Sequence, residues 1–599
     1  MEHPKASMLV EASWEVCNKV GGIYTVLKSK AALMKKNYQT YVCVGPYKEE
    51  HAKTDFEQRQ LPTWLKGVAE RLEQEGVRIF FGSWLIEGAP DTILVDASGL
   101  AGRKDAVKKA LWDGFRVDSL YASWEFEEPV LWSWAVGMLV EQLWIEGKKS
   151  LVLHVHEWLS SSAVLYLRRK GLSVPTVFTT HATMLGRSLA GGGVDLYANL
   201  STINPEREAY ARGIQDKFTM ERAAARNASV FTTVSEITGL EAEHFLGRKP
   251  DVLLYNGLDV SKFPTLEDAA VKHVMCKEKV EEFLQYYFFP YYTFDLSHNL
   301  VFFIIGRYEF ANKGIDLFIE ALGNLNRKLA GERSKRTVTA FFWIPTVTEG
   351  IRVEVLKNKN YFRHIKNHVH WHGDTILKNI VSSLVASGKL SAKDVLSKDF
   401  LHSLKKDYVR FKQEGVPALS THSVDEGKDA IIQAFRRCGL NNLKEDRVKV
   451  VFYPVYLDGN DSMISLPYYD AMAGCHLGVF PSYYEPWGYT PLEAAAMGVP
   501  SITTDLAGFG RFLLQEGVRD GLQGISVLRR MGRSWEEQVR DLTKLLEGYA
   551  KRKRPERVAL KSEAKVLASK ADWGTFVEAY FKAHNTALSR EHEKQNIRT

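Results

Sequence analysis

Ser7-Met-Leu-Val-Glu-Ala12 runs through Asn18-Lys-Val-Gly-Gly22 into Ile23-Tyr-Thr-Val26 and on to Lys36. The first six residues, mostly apolar, read as a buried strand. The glycine pair reads as a turn, and residues 23–36 as a helix. A strand, a glycine turn and a helix open a nucleotide-binding α/β unit, because the helix's free N–H groups can face an anion. The spelling is neither Gly-x-Gly-x-x-Gly nor a Walker motif, so the turn alone names no ligand.

Beyond that unit the alternation continues. Residues 39–44, 77–81, 92–95, 151–156, 176–180, 230–234 and 252–255 read as further buried strands, with helical segments between most of them. This predicts a parallel sheet covered by helices on both faces. After a bridge near 260–298 a second series begins, with strands at 300–305, 338–343, 448–454, 476–480 and 501–503. No βαβ crossover needs the long charged stretch between 343 and 448. Its helices at 376–386, 394–413 and 425–438 read as an insertion. The expected division is a Rossmann-like domain over 1–262, a second over 263–560 with a helical insertion at about 355–446, and helices over 561–599 crossing back to the first. Two such halves place ligands in the crevice between them, at the carboxyl ends of their strands.

Composition narrows the class. Of 599 residues, 45% are apolar and 25% charged, which suits a soluble globular protein and excludes disorder as the main state. A net charge of +7 allows an anionic small ligand but does not argue for nucleic acid. Cysteines at 17, 43, 276, 438 and 475 have no Cys-x-x-Cys spacing, so neither a zinc site nor a disulfide framework is expected, and the cytoplasm is. The start lacks a signal peptide, and the apolar run 129–140 is too short for a membrane span. The 14 Trp, 25 Tyr and 30 Phe are the less ordinary figure. Aromatic faces suit sugars and bases, yet most rings in any protein are core.

The residues with chemical character follow strands. In Val479-Phe-Pro-Ser-Tyr-Tyr-Glu485-Pro-Trp-Gly-Tyr-Thr490-Pro-Leu-Glu493, Thr490 suits an N-cap and Pro491 the first helical position. Thr490-x-x-Glu493 is also a capping box, a purely structural alternative for Glu493. The helix end is a ready phosphate site. Arg307 and Lys313 follow the strand 300–305, and two cations there suit a diphosphate leaving group. His181 and Arg187 follow the strand 176–180, and Asn256-Gly257 follows 252–255, where it is foremost a turn signal.

Together these strings resemble eukaryotic-type glycogen synthase, glycosyltransferase family 3. The resemblance rests on Asn18-Lys-Val-Gly-Gly-Ile-Tyr-Thr-Val26, Phe178-Thr-Thr-His-Ala-Thr183, Met220-Glu-Arg-Ala-Ala-Ala225, Asn256-Gly-Leu258, Gly306-Arg-Tyr-Glu-Phe310 with Asn312-Lys-Gly314, and Pro481-Ser-Tyr-Tyr-Glu-Pro-Trp-Gly-Tyr-Thr-Pro491. It covers nearly the whole chain in the right order. It implies a GT-B fold, two Rossmann-like domains facing a deep crevice, and retaining transfer of glucose from UDP-glucose to the 4-hydroxyl ends of glycogen or a related α-glucan. The first domain is then the acceptor side and the second binds the nucleotide sugar. By the same resemblance Glu485 lies beside the donor glucose and Glu493 holds the ribose. Arg307 and Lys313 grip the diphosphate, with the Thr490 helix end, Lys19, Gly21 and Gly22, and Arg187. His181 contacts the glucose, Asn256 lines its pocket, Tyr468 stacks the uracil, and Tyr489 shapes the Glu485 loop. A homo-oligomer is implied, tetrameric in relatives with this insertion; a glycogenin-like primer stays an open partner. No cofactor or metal is expected, since the chain has no Asp-x-Asp and cations with helix amides can do that work.

The chain departs from the family in two places. It shows no Ser/Pro-rich tail, so control by tail phosphorylation is not expected. The family's arginine-rich sensor of glucose-6-phosphate corresponds to Lys551-Arg-Lys-Arg554-Pro-Glu-Arg557-Val-Ala-Leu-Lys561, which is partly Lys and interrupted by Pro555. Lys lacks the bidentate fork that suits phosphate, so activation through Arg554, Arg557 and Lys561 is expected to be weak or absent. Two other readings stay open: another retaining GT-B glucosyltransferase, such as an ADP-glucose starch synthase, and a catalytically idle glycogen-binding scaffold.

Overall fold

The computed structural model describes residues 3–148, 150–332 and 334–598. The first domain contains β1 (Met8–Ala12), α1 (Gly22–Asn37), β2 (Thr40–Pro46), β3 (Phe56–Gln58), β4 (Arg78–Trp84), β5 (Asp91–Asp96), α2 (Trp124–Ile145), β6 (Leu151–His156), β7 (Thr176–Thr180), β8 (Val230–Thr233) and β9 (Val252–Leu253). Among the described residues these strands form one sheet in the order β3-β4-β5-β2-β1-β6-β7-β8-β9. β1, β6, β7 and β8 are buried at every position, as helices on both faces require.

The sheet is not wholly parallel, which corrects the reading of uniform alternation. β3 pairs with β4, and β4 with β5, antiparallel. The connection 85–90 between β4 and β5 is too short for a parallel crossover and makes a hairpin. β3 is short, and its Glu57 and Gln58 are exposed, which protects a sheet edge.

The second domain contains β10 (Asn299–Ile305), α3 (Ile315–Gly331), β11 (Thr337–Trp343), α4 (Val353–Trp371), α5 (Gly373–Ser387), α6 (Lys398–Phe411), α7 (Ala430–Arg437), β12 (Val448–Phe452), α8 (Tyr468–Ala473), β13 (Leu477–Val479), α9 (Tyr489–Ala496), β14 (Ser501–Thr504) and β15 (Ile525–Leu528). Its sheet runs β12-β11-β10-β13-β14-β15, all parallel. Counted within the domain this is the Rossmann order 3-2-1-4-5-6, whose switch point lies between β10 and β13. The inserted helices are α4 to α6; α7 packs back on α3 and β12.

The chain ends with α10 (Arg554–Ser569) and α11 (Trp573–Arg598). α10 stays on the second domain against α9 and β15. The return to the first domain therefore comes after Ser569, later than the expected 561. There Leu258 N–H donates to Ala571 O (2.9 Å) and Trp573 N–H to Leu258 O (3.2 Å). α11 then lies over β6 to β9 and α1.

The aromatic load is mostly packing. Trp132, Trp134 and Trp144 are buried in α2, whereas Trp112 and Trp124 stay exposed. Among the described residues no helix is long and apolar enough to cross a membrane.

Candidate active site

β10 and β13 separate at the switch point, and the loops after them meet. Tyr483 and Tyr484 donate their N–H groups to Asn312 O at 2.8 and 3.2 Å, tying the Lys313 loop to the Glu485 loop. Gly314 sits beneath with φ +67°, and a Cβ there would come within 2.1 Å of Pro481 O. Only glycine fits that conformation and that approach. Lys313 Nζ lies 2.5 Å from Glu485 Oε2, with about a fifth of either side chain exposed. The pair lines a narrow cleft with Ser482, Gly488, Thr490 and Pro491.

Arg307 does not join this pair. Its side chain is 76% exposed and ion-pairs with Glu309 at 2.8 Å. A guanidinium so exposed is free to swing, and the pair contributes little.

The helix behind the cleft starts two residues earlier than expected. Gly488, with φ +109°, is the N-cap of α9, so Tyr489, Thr490 and Pro491 form its first turn. Thr490 is therefore not the N-cap, and no capping box forms. Glu493, 9% exposed, instead accepts from Tyr468 Oη (2.8 Å) and Tyr469 Oη (2.9 Å). Burial raises its pKa, against the two phenol hydrogen bonds. Tyr468 thus orients Glu493, its ring edge-on to Tyr469 with centroids 5.0 Å apart.

Across the crevice, the glycine turn after β1 is held by a residue the sequence reading missed. Glu15 Oε2 accepts from the N–H groups of Gly21 and Tyr24, both at 2.8 Å. A carboxylate therefore occupies part of the helix end expected to meet phosphate. Lys19, Gly21 and Gly22 are exposed beside it.

His181 follows β7, and its N–H donates to Glu157 Oε1 at 2.7 Å. Glu157 has φ +64°, a strained conformation for a non-glycine residue of the kind found at functional sites. Thr183 donates to Glu241 Oε2 (2.6 Å), and Tyr484 of the other domain donates to the same oxygen (3.1 Å). Burial pushes Glu241 up to about 7. Arg187 is solvent-exposed beside these acids: partial desolvation opposes its charge, but Glu157, Tyr484 and Glu221 outweigh it and raise its pKa. The Tyr484–Glu241 bond brings the His181–Arg187 segment against the Glu485 loop. Tyr489 adds a second link, donating to Gly257 O at 3.3 Å. Asn256 is 5% exposed, and its Oδ1 has no hydrogen-bond partner, as do Asn312 Oδ1 and Trp487 Nε1. Unpaired buried polar atoms are unusual.

Behind His181 lies a buried cluster of Glu11, Lys30, Tyr41, His154 and His156. Its sequence signal was a charge inside β1 and two histidines inside β6, polar residues in strands buried on both faces. Ligand atoms of Glu11, His154 and His156 lie within 4.8 Å of one another. The ammonium of Lys30 already holds the Glu11 carboxylate, which makes the trio a poor metal site.

Arg554, Arg557 and Lys561 share one face of α10. Pro555 stands in the helix's first turn, where its missing N–H costs nothing, so it begins the helix and does not interrupt the cluster. Burial, with Arg557, Lys277 and Arg554 nearby, pushes Lys561 down to about 8.

A family model described as glycogen synthase matches residues 11–598. The liver glycogen (starch) synthase of Homo sapiens is 37% identical over 587 residues, covering 97% of this chain and 84% of that protein. Isoform 2 of glycogen (starch) synthase from Saccharomyces cerevisiae is 38% identical over 616 residues, covering 98% and 87%. Among solved structures, the catalytic domain of starch synthase IV from Arabidopsis thaliana, bound to ADP and acarbose, matches with a TM-score of 0.53. It is 16% identical over 98% of this chain and 100% of that one, a likeness of fold.

Proposed function

The chain belongs to the glycogen synthase family and is a GT-B glycosyltransferase that extends glycogen; we propose that it uses UDP-glucose and retains the anomeric configuration. The acceptor is the non-reducing 4-hydroxyl end of an α-1,4-glucan. The observation that carries this reading is the Lys313–Glu485 pair, a cation and a carboxylate in one cleft at the switch point.

In this reading the donor diphosphate lies over the first turn of α9. Lys313 and Arg307, the latter swung from Glu309, stabilise the charge that grows as the glycosyl bond breaks. Glu493, oriented by Tyr468 and Tyr469, holds the ribose hydroxyls, and Tyr468 also lies beside the uracil. Arg187 and the glycine turn with Lys19 approach from the other domain. His181 and the unpaired Asn256 Oδ1 take hydroxyls of the glucose. Attack comes on the same face from which the diphosphate leaves, within a tight ion pair, and the departing phosphate takes the acceptor's proton. Glu485 steadies the positive charge on the sugar. No metal is needed, because cations and helix amides face the phosphates. The five free cysteines fit a reducing compartment, the cytoplasm.

Incubation with UDP-glucose and ADP-glucose in parallel tests this, with glycogen as acceptor, in excess EDTA, with and without glucose-6-phosphate. The expected result is transfer from UDP-glucose that survives EDTA and rises little with glucose-6-phosphate. Preference for ADP-glucose, or complete loss on chelation, would overturn the donor or metal assignment.

A further inference from the structure

The buried cluster behind His181 fixes hydrogen positions as well as heavy atoms. Lys30 and Glu11 are both fully buried and ion-paired through Oε1. Tyr41 donates to Glu11 Oε2 at 2.6 Å. His156 Nε2 lies 2.8 Å from Glu11 Oε1, and His156 Nδ1 lies 3.0 Å from His181 Nε2. His154 stacks on His156 with centroids 4.3 Å apart, and itself bonds Thr179 and His584.

Each link determines the next. An ammonium only donates, so Glu11 is a carboxylate that only accepts. His156 Nε2 must then carry a hydrogen. Lys30 already balances Glu11, so a second charge on fully buried His156 would stand uncompensated, and the ring is neutral. Its Nδ1 is therefore a bare acceptor, and His181 Nε2 supplies the hydrogen. Burial lowers the pKa of both rings, which agrees with neutral imidazoles. That leaves His181 Nδ1, for which no partner is found among the described residues, on a ring 8% exposed.

We propose that Glu11 and His156 are positioning residues that hold His181 as its Nε2–H tautomer, so that a bare Nδ1 accepts a hydrogen bond from a sugar hydroxyl in the crevice. The proposal rests on the reading above that His181 contacts the donor glucose. The hydroxyl then spends its hydrogen on His181, and its oxygen stays open to donors elsewhere in the pocket. The other tautomer would set an N–H against that hydroxyl and reverse its polarity.

The test is nitrogen NMR of the full chain labelled with 15N-histidine, with the His181 signals assigned by their loss in His181→Asn. The relay predicts hydrogen on Nε2 and a bare Nδ1 at neutral pH. A hydrogen on Nδ1 would overturn it. His156→Leu should release the tautomer and lower kcat by about ten- to a hundredfold, taking the scale seen when a metal-bound histidine loses its orienting partner. His156→Asn, whose side-chain oxygen can stand near the lost Nδ1, should restore the tautomer and much of the rate. Equal loss in both variants with an unchanged His181 spectrum would also overturn the relay. Failure of the functional reading shows separately, as no glucose transfer by the unaltered chain, because the spectrum reads the tautomer without turnover.

Discussion

Glu11 and Lys30 sit in a place where neither could stay charged alone. Removing one partner of such a pair costs about 3–5 kcal/mol, since the other charge is left buried. The histidines around them are neutral for the same reason, and this gives the protein a pH dependence. Burial, with the Lys30 charge adding, pushes His584 down to about 3 when folded. Unfolded, a histidine titrates at about 6.5. Between those values the unfolded chain binds a proton that the folded chain refuses. This stability is therefore complete above about pH 6.5 and is lost as pH falls toward about 3. Each such histidine adds a slope of about 1.4 kcal/mol per pH unit in that window. Tm measured from pH 7 to 5 should fall steeply, and less steeply for His584→Gln. An identical slope in the variant would show that His584 is not buried neutral.

The elements that set the active cleft were legible in unequal degree. Buried strands such as β6 and β7, rich in β-branched residues and buried at every position, could be placed to the residue. β3 was missed because Phe56 is its one apolar residue, beside exposed Glu57 and Gln58; β15 was missed as well. The antiparallel edge was missed because an apolar run does not state its direction; the short connection at 85–90 was the available signal. Glu485, Lys313 and His181 were legible because each follows a strand. Glu15, Glu157 and Glu241 were not, because their place depends on which loops converge. At Thr490 the local capping pattern lost to tertiary contacts: Gly488 began the helix and two tyrosines drew Glu493 away. Gly314 shows how tightly the cleft loops are built. Gly314→Ala would add left-handed strain of about 1–2 kcal/mol and press on Pro481 O. A displacement there of about 1 Å should lower kcat by about a hundredfold. Steady-state kinetics with a Tm control checks this; an unchanged kcat would mean that the loops tolerate the shift.

Across the whole molecule, two Rossmann sheets supply opposite walls of one crevice. α11 latches them by returning to the first domain, where buried Glu591 pairs with Arg168 at 2.6 Å and Arg590 with Asp251 at 2.9 Å. The inserted helices expose Trp371 (86%), Val385 (83%), Leu377 (62%) and Val381 (59%). Such apolar surface on α4 and α5 suits contact between copies of the chain, and we propose a tetramer, the state expected from the resemblance. Light scattering should give four times the chain mass of 67.9 kDa, and Val385→Asp should lower it; a monomer in the unaltered chain would remove that proposal. The crevice itself answers to one assay, the initial rate of glucose transfer from UDP-glucose to glycogen by Glu485→Ala. If Glu485 and Lys313 are the reacting cleft, the rate falls by at least about a hundredfold while Tm stays near that of the unaltered chain. Undiminished transfer by the variant would contradict that assignment and move the chemistry elsewhere.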